Sequence, residues 1–77
     1  MGLDRKGNYL MFERLLIIQD AIQHGYYPNS TVLQKKIREQ IGIEFSMPTI
    51  SRDIRFLKER MNYPIEYNTS KKGYYWK

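Results

Sequence analysis

The fold of this 77-residue chain is decided by the stretch Ser46-Met47-Pro48-Thr49-Ile50-Ser51-Arg52-Asp53-Ile54-Arg55-Phe56-Leu57. Ser46 is a favoured helix cap, and Pro48 falls in the first helical turn, where the missing N–H costs little. Apolar residues then recur at spacings of four, three and four, which places them on one helix face: Ile50, Ile54, Leu57 and Met61. The pattern predicts a helix over residues 46–61, with this face in a core.

The opposite face of the predicted helix carries two arginines. At about 100° per residue from Ile50, the apolar stripe centres at about 10°, whereas Arg52 falls at about 200° and Arg55 at about 140°. A guanidinium can bind a phosphate or the guanine O6/N7 edge in a forked geometry, so the sequence favours a helix that reads a duplex groove. The alternative is an ordinary solvated face. Asp53 lies beside the core stripe, and we expect it to orient an arginine or to pair with a neighbouring helix.

Two further helices are predicted upstream, with apolar stripes at helical spacing. The first runs from about Asn8 to His24, and its stripe is Met11, Leu15, Ile18 and Ile22. The second is capped by Ser30, is about twelve residues long and ends at Gly42. Its stripe is Leu33, Ile37 and Ile41. Residues 1–7 are expected to form a flexible arm, and residues 8–77 a single domain.

The pattern changes after Pro64. Ile65-Glu66-Tyr67 alternates apolar and polar residues, residues 68–73 form a polar turn with two lysines, and Tyr74-Tyr75-Trp76 is aromatic. This order predicts a β-hairpin, with a possible third strand at residues 25–27. Since an isolated hairpin is marginally stable, we expect four of its side chains to pack on the helices: Ile65, Tyr67, Tyr75 and Trp76. The predicted fold class is α+β, a three-helix bundle followed by a two-stranded hairpin.

Composition narrows the function. The chain has no cysteine and one histidine, which excludes a disulfide scaffold, an iron–sulfur cluster, thiolate zinc and a cysteine nucleophile. No apolar run approaches the roughly 20 residues of a membrane span, and the first residues lack the apolar core of a signal peptide. We therefore expect a soluble, cytoplasmic, non-enzymatic domain without metal, cofactor, small-molecule ligand or membrane partner.

The charge balance indicates an anionic partner. Lysine and arginine number 13 against 8 acidic residues, a net charge of +5. Residues 46–77 hold seven bases and three acids, or +4, whereas residues 1–45 hold six and five, or +1. Nucleic acid is the common anionic partner of such a chain.

The stretch that begins at Ser46 resembles the recognition helix of bacterial winged helix-turn-helix regulators of the DeoR-like family and of WYL-domain transcription factors. The shared pattern is a capping serine, Thr-Ile, one variable residue, Arg-Asp, an aliphatic residue and a leucine, matched by Ser46, Thr49, Ile50, Arg52, Asp53, Ile54 and Leu57. The segments Pro64-Ile65-Glu66-Tyr67 and Gly73-Tyr74-Tyr75 resemble the wing of WYL regulators.

The resemblance implies sequence-specific binding of double-stranded DNA by a nucleoid-associated transcriptional regulator. Helix 46–61 would lie in the major groove and wing 68–73 on the backbone or minor groove, through the DNA-binding residues Ser46, Met47, Pro48, Thr49, Ser51, Arg52, Arg55, Lys71 and Lys72. Three departures stand against the pattern: the link at residues 42–46 is about two residues longer than usual, Pro48 occupies a commonly polar or basic position, and no WYL domain follows. The chain would then be an excised or a stand-alone DNA-binding module.

Three alternatives remain open at this point. The exposed face and the hairpin could bind an acidic protein partner, or the aromatic hairpin could stack single-stranded RNA bases. A homodimer contact is also possible, because Leu10, Phe12 and Leu16 make the first helix apolar on several sides.

Overall fold

A computed structural model describes the backbone from Gly2 to Lys77 and the side chains from Tyr9 onward. Three helices precede a two-stranded antiparallel hairpin, which confirms the α+β class and the predicted order of elements. The elements are α1 Gly2–Gln23, α2 Ser30–Ile41, α3 Met47–Arg55 with a π-helical continuation Phe56–Arg60, β1 Ile65–Asn68 and β2 Gly73–Trp76.

Helix α1 begins at Gly2, six residues before the predicted Asn8. The apolar periodicity on which the prediction rested starts only at Met11, so it contained no signal for this earlier turn. The predicted arm, residues 1–7, includes Met1 and side chains that lie outside the described residues, and its mobility stays a prediction.

The cap of α2 differs from the prediction. Asn29, not Ser30, is the capping residue, because its side-chain oxygen accepts the Val32 N–H at 2.8 Å. Ser30 is already the first helical residue. Gly42 ends the helix as predicted, since its φ of 86° is left-handed and its N–H bonds to the Arg38 carbonyl.

The third helix changes its winding before it ends. From Phe56 to Arg60 the backbone is π-helical, and the Met61 N–H donates to the Phe56 carbonyl, five residues earlier, at 3.1 Å. The wider turn rotates later residues away from the α-helical spacing. Ile50, Ile54 and Leu57 are buried as predicted, whereas Met61 is 45% exposed, so its assignment to the core stripe was wrong.

The hairpin pairs Ile65 with Trp76 and Asn68 with Gly73 across an antiparallel ladder. Among the described residues the sheet contains two strands, β1 and β2, and no third strand. The segment before α2 instead makes one backbone bond to the hairpin, in which the Tyr74 N–H donates to the Pro28 carbonyl at 2.9 Å. The predicted third strand was therefore wrong.

Gly73 is where the hairpin lies close against the connection between α1 and α2. A Cβ placed on this residue would lie 1.8 Å from the Tyr27 carbonyl oxygen, a distance that no side chain allows. Ile65 is buried in the core, while Tyr75 and Trp76 are half-buried against Tyr27 and Tyr63 respectively. Tyr67 is 48% exposed, so it is not buried against the helices as predicted.

One core joins all three helices to β1. Its buried apolar residues are Leu15, Ile18, Ala21, Ile22, Leu33, Ile37, Ile50, Ile54, Leu57 and Ile65. Across the described residues, no helix is both long and apolar enough to cross a bilayer.

Candidate nucleic-acid interface

The start of α3 is fixed by two hydroxyl groups. The Ser46 Oγ accepts the Thr49 N–H at 3.4 Å, which caps the helix, and it lies 3.0 Å from the Thr49 Oγ1. Pro48 occupies the first turn, as predicted. Ser46 and Thr49 are therefore engaged with each other, whereas the hydroxyl of Ser51 lies on an exposed position.

The acidic residue of α3 is removed from the surface. Asp53 is 5% exposed, and its carboxylate accepts two hydrogen bonds from Arg14 of α1: from Nε at 2.5 Å and from Nη2 at 3.1 Å. The Arg14 guanidinium also lies 4.6 Å from the centre of the Phe45 ring. The prediction that Asp53 pairs with a neighbouring helix is confirmed, and the pair joins α1 to α3.

Arg14 is a residue that the sequence reasoning missed. A signal for it existed, because Arg14 precedes the buried Leu15 and stands beside the apolar stripe of α1. Asp53 stands in the same relation to the stripe of α3. Two opposite charges at the margins of two buried faces indicate an interhelical pair, although the sequence does not say which cation meets which acid.

Both predicted arginines of α3 are exposed. Among the described residues, neither Arg52 nor Arg55 makes an ion pair. From residue 47 to residue 60 the exposed charges are Arg52, Arg55, Lys58 and Arg60 against Glu59, four cations and one acid. Arg52 lines a shallow cleft of about 290 Å³ beside the Arg14–Asp53 pair.

The connection between α2 and α3 is held by two side chains of α2, which the sequence reasoning also missed. Gln34 donates from Nε2 to the Phe45 carbonyl at 2.6 Å, and the Arg38 guanidinium lies 3.1 Å from the Glu44 carboxylate. These contacts hold the residues that lead directly into the Ser46 cap. The link at residues 42–46 is thus held against α2.

Lys71 and Lys72 are exposed in the hairpin tip, which we define as residues 69–72. The Asn68 side chain accepts the Lys71 N–H at 2.8 Å and shapes the turn. Lys72 has a φ of 58°, a left-handed conformation that is uncommon for a lysine. The Lys71 ammonium lies 5.4 Å from the centre of the Tyr27 ring.

The predicted site residues fall into two groups, one at the start of α3 and one at the hairpin tip. All are exposed except Thr49, which is half-buried: Ser46, Met47, Pro48, Thr49, Ser51, Arg52 and Arg55 in the first group, Lys71 and Lys72 in the second. Within the part of the chain that the structure describes, no cluster of three or more metal-ligating side chains is found. The chemistry that these groups offer is the binding of a polyanion by cations and hydroxyl groups.

A separate apolar groove of about 410 Å³ lies between α1 and the π-helical turn. Of the residues predicted for a homodimer contact, Phe12 and Leu16 are exposed at this groove, while Leu10 is half-buried. The homodimer stays a prediction.

Comparison with known proteins identifies no relative of this chain. No known family model, no curated protein and no solved structure matches the chain.

Proposed function

We propose that this chain binds double-stranded DNA in a sequence-specific manner, as the winged helix-turn-helix DNA-binding domain of a bacterial transcriptional regulator. Helix α3 would enter the major groove with its first turns, and the hairpin would act as the wing on the backbone or minor groove. The binding is non-covalent and needs no metal or cofactor.

The observation that carries this proposal is the separation of charge around α3. Asp53 is buried against Arg14, so its negative charge does not face a ligand, while Arg52 and Arg55 project into solvent. A phosphate near Arg52 would meet cations and hydroxyl groups, while the exposed acid of this helix, Glu59, lies seven residues further along. Such a face suits the phosphate backbone and the guanine edge.

Small side chains at the start of α3 support the docking of this end. Pro48, Thr49 and Ser51 leave the helix surface low, so the backbone can approach a groove floor closely. The side chain of Met47 is 36% exposed and offers an apolar contact for a thymine methyl group.

The decisive experiment selects bound sequences from a random duplex pool and then measures affinity for the selected site by fluorescence anisotropy at several salt concentrations. With about four to six phosphates contacted, log affinity should fall against log salt with a slope of about −4 to −5. Arg52→Ala should cost about 1–3 kcal/mol and relax sequence preference at one position. Arg60→Ala is the matched control, because it removes the same charge about 12 Å further along the helix axis.

The same assay separates the alternatives. An affinity for duplex that does not change with salt, or an equal loss for Arg52→Ala and Arg60→Ala, contradicts the proposal. Stronger competition by single-stranded RNA than by duplex would favour base stacking on the aromatic hairpin. Of the hairpin rings, Tyr67 is exposed at 48%, and the Tyr74 ring packs on it with ring centres 5.0 Å apart. Absence of all nucleic-acid binding would favour an acidic protein partner.

A further inference from the structure

Tyr27, in the connection between α1 and α2, contacts both the second strand of the hairpin and a lysine of its tip. The Tyr27 carbonyl lies against Gly73, and its ring stacks at a tilt on Tyr75, with ring centres 5.7 Å apart. The Lys71 ammonium lies over the same ring, 5.4 Å from its centre. One residue far from the hairpin in sequence therefore contacts β2 through its backbone and its ring, and contacts the Lys71 ammonium of the tip through the same ring.

We infer that Tyr27 is a positioning residue for duplex binding: it holds the Lys71 ammonium in place without itself touching the nucleic acid. This inference rests on the proposed function and adds a residue that the sequence patterns did not mark.

The physical basis is the entropy of a lysine side chain. A free lysine at a turn samples many rotamers and loses them when its ammonium binds a phosphate. The Tyr27 ring attracts the ammonium through its π-electrons but does not occupy its N–H donors, so the cation is restrained and still able to donate to phosphate oxygens. Part of the side-chain entropy that Lys71 loses on binding DNA is therefore already lost in the free protein.

The backbone of the tip supports the same arrangement. The Asn68 side chain accepts the Lys71 N–H at 2.8 Å and sets the direction in which Lys71 leaves the turn. The Tyr74 N–H bond to Pro28 fixes the strand beside Tyr27. Lys72, by contrast, makes no such contact among the described residues, so it serves as the internal comparison.

The test is a double-mutant cycle on duplex affinity with the selected site. Tyr27→Leu should weaken binding about two- to five-fold in the wild-type background and should have no effect in Lys71→Ala. Tyr27→Phe keeps the ring and should keep the affinity. Leucine has the same backbone requirement as tyrosine at the φ of 58° found here, so the variant adds no new backbone strain.

A measurement without DNA checks the contact directly. The ε-methylene protons of Lys71 should show an upfield ring-current shift in the NMR spectrum that is lost in Tyr27→Leu and kept in Tyr27→Phe. Fluorescence of Trp76, the single tryptophan of the chain, reports whether the hairpin stays docked in each variant.

Two outcomes overturn the inference and leave the proposed function intact. One is duplex binding that Lys71→Ala weakens and Tyr27→Leu does not; the other is an equal effect of Tyr27→Leu with and without Lys71, which would show a merely structural role. If the wild-type chain binds no duplex at any salt concentration, the proposed function fails and the inference falls with it.

Discussion

Arg14 and Lys71 are both cations that lie against an aromatic ring, and the difference between them separates structure from binding. The Arg14 guanidinium is 4.6 Å from the Phe45 ring, its side chain is 11% exposed, and Asp53 neutralises it. The Lys71 ammonium is 5.4 Å from the Tyr27 ring, is exposed, and has no acidic partner among the described residues. A cation that is buried against a carboxylate stabilises the fold, whereas a cation that contacts a ring at the surface can still bind a ligand.

This contrast has an energetic consequence. Removing one partner of a buried ion pair leaves the other charge desolvated and without compensation, which costs several kcal/mol. Removing an exposed cation costs little stability, because water and salt already screen it. Substitutions near Arg14 should therefore act on folding, and substitutions at Lys71 on binding.

The largest expected effect is that of Asp53→Asn. The variant keeps the shape of the side chain but leaves the Arg14 guanidinium buried without its counter-charge, so the free energy of unfolding should fall by about 3–5 kcal/mol. Urea denaturation followed by circular dichroism measures this change. In a chain of this size such a loss is a large part of the total stability.

Glu44→Gln provides the matched control for this substitution. Glu44 pairs with Arg38 at 3.1 Å, but both side chains are more than half exposed, so the variant should lose less than about 1 kcal/mol. Equal losses for Asp53→Asn and Glu44→Gln would mean that burial does not distinguish the two pairs, and the contrast drawn above would be wrong.

Gly73→Ala is expected to have the next largest effect, and it concerns the attachment of the hairpin. The added Cβ would overlap the Tyr27 carbonyl, so the strand must shift away, at a cost of about 3 kcal/mol. Gly25→Ala is the control, because a Cβ there meets open space and adds only the strain of a φ of 81°, about 1 kcal/mol. Thermal unfolding and the emission of Trp76 compare the two; a Gly73→Ala chain with unchanged Trp76 emission would contradict the close approach.

Ser46, the cap of α3, and Ser51, within α3, offer a similar comparison between a residue that stabilises the fold and an exposed residue, with a smaller expected effect. Ser46 caps the helix, so Ser46→Ala should lower the free energy of unfolding by about 1 kcal/mol. Ser51 is exposed and makes no hydrogen bond within the described residues, so Ser51→Ala should leave stability unchanged. Chemical denaturation of both variants checks this, and a larger loss for Ser51→Ala would contradict the assigned cap.

Much of the fold follows from short-range patterns in the sequence. The stripe of Ile50, Ile54 and Leu57, the cap at Ser46 and the stop at Gly42 each depend on neighbours within a turn or two, and each is present in the structure. The hairpin follows in the same way from alternation and a polar turn.

What the sequence patterns missed depends on contacts between distant residues or on a local change in helical winding. Arg14 and Asp53 are 39 residues apart, and their positions beside the two apolar stripes do not show which cation meets which acid. The approach of Gly73 to Tyr27 depends on the angle at which the hairpin docks. The exposure of Met61 depends on a π-helical turn, which shifts the helical phase that the prediction assumed constant.

Lys71→Ala should have the smallest effect on stability and a specific effect on binding. Loss of an exposed ring contact should change the free energy of unfolding by about 0.5 kcal/mol, whereas duplex affinity should fall for all sequences alike and the salt slope should decrease in magnitude by about 1, as expected when one phosphate contact is lost. Lys72→Asn, which removes the neighbouring charge and tolerates the left-handed φ of 58°, is the matched comparison. Anisotropy titrations at three salt concentrations measure both slopes. A loss of stability for Lys71→Ala as large as that for Asp53→Asn would show that this lysine stabilises the fold. A salt slope equal to that of the wild type would show that Lys71 does not contact the DNA.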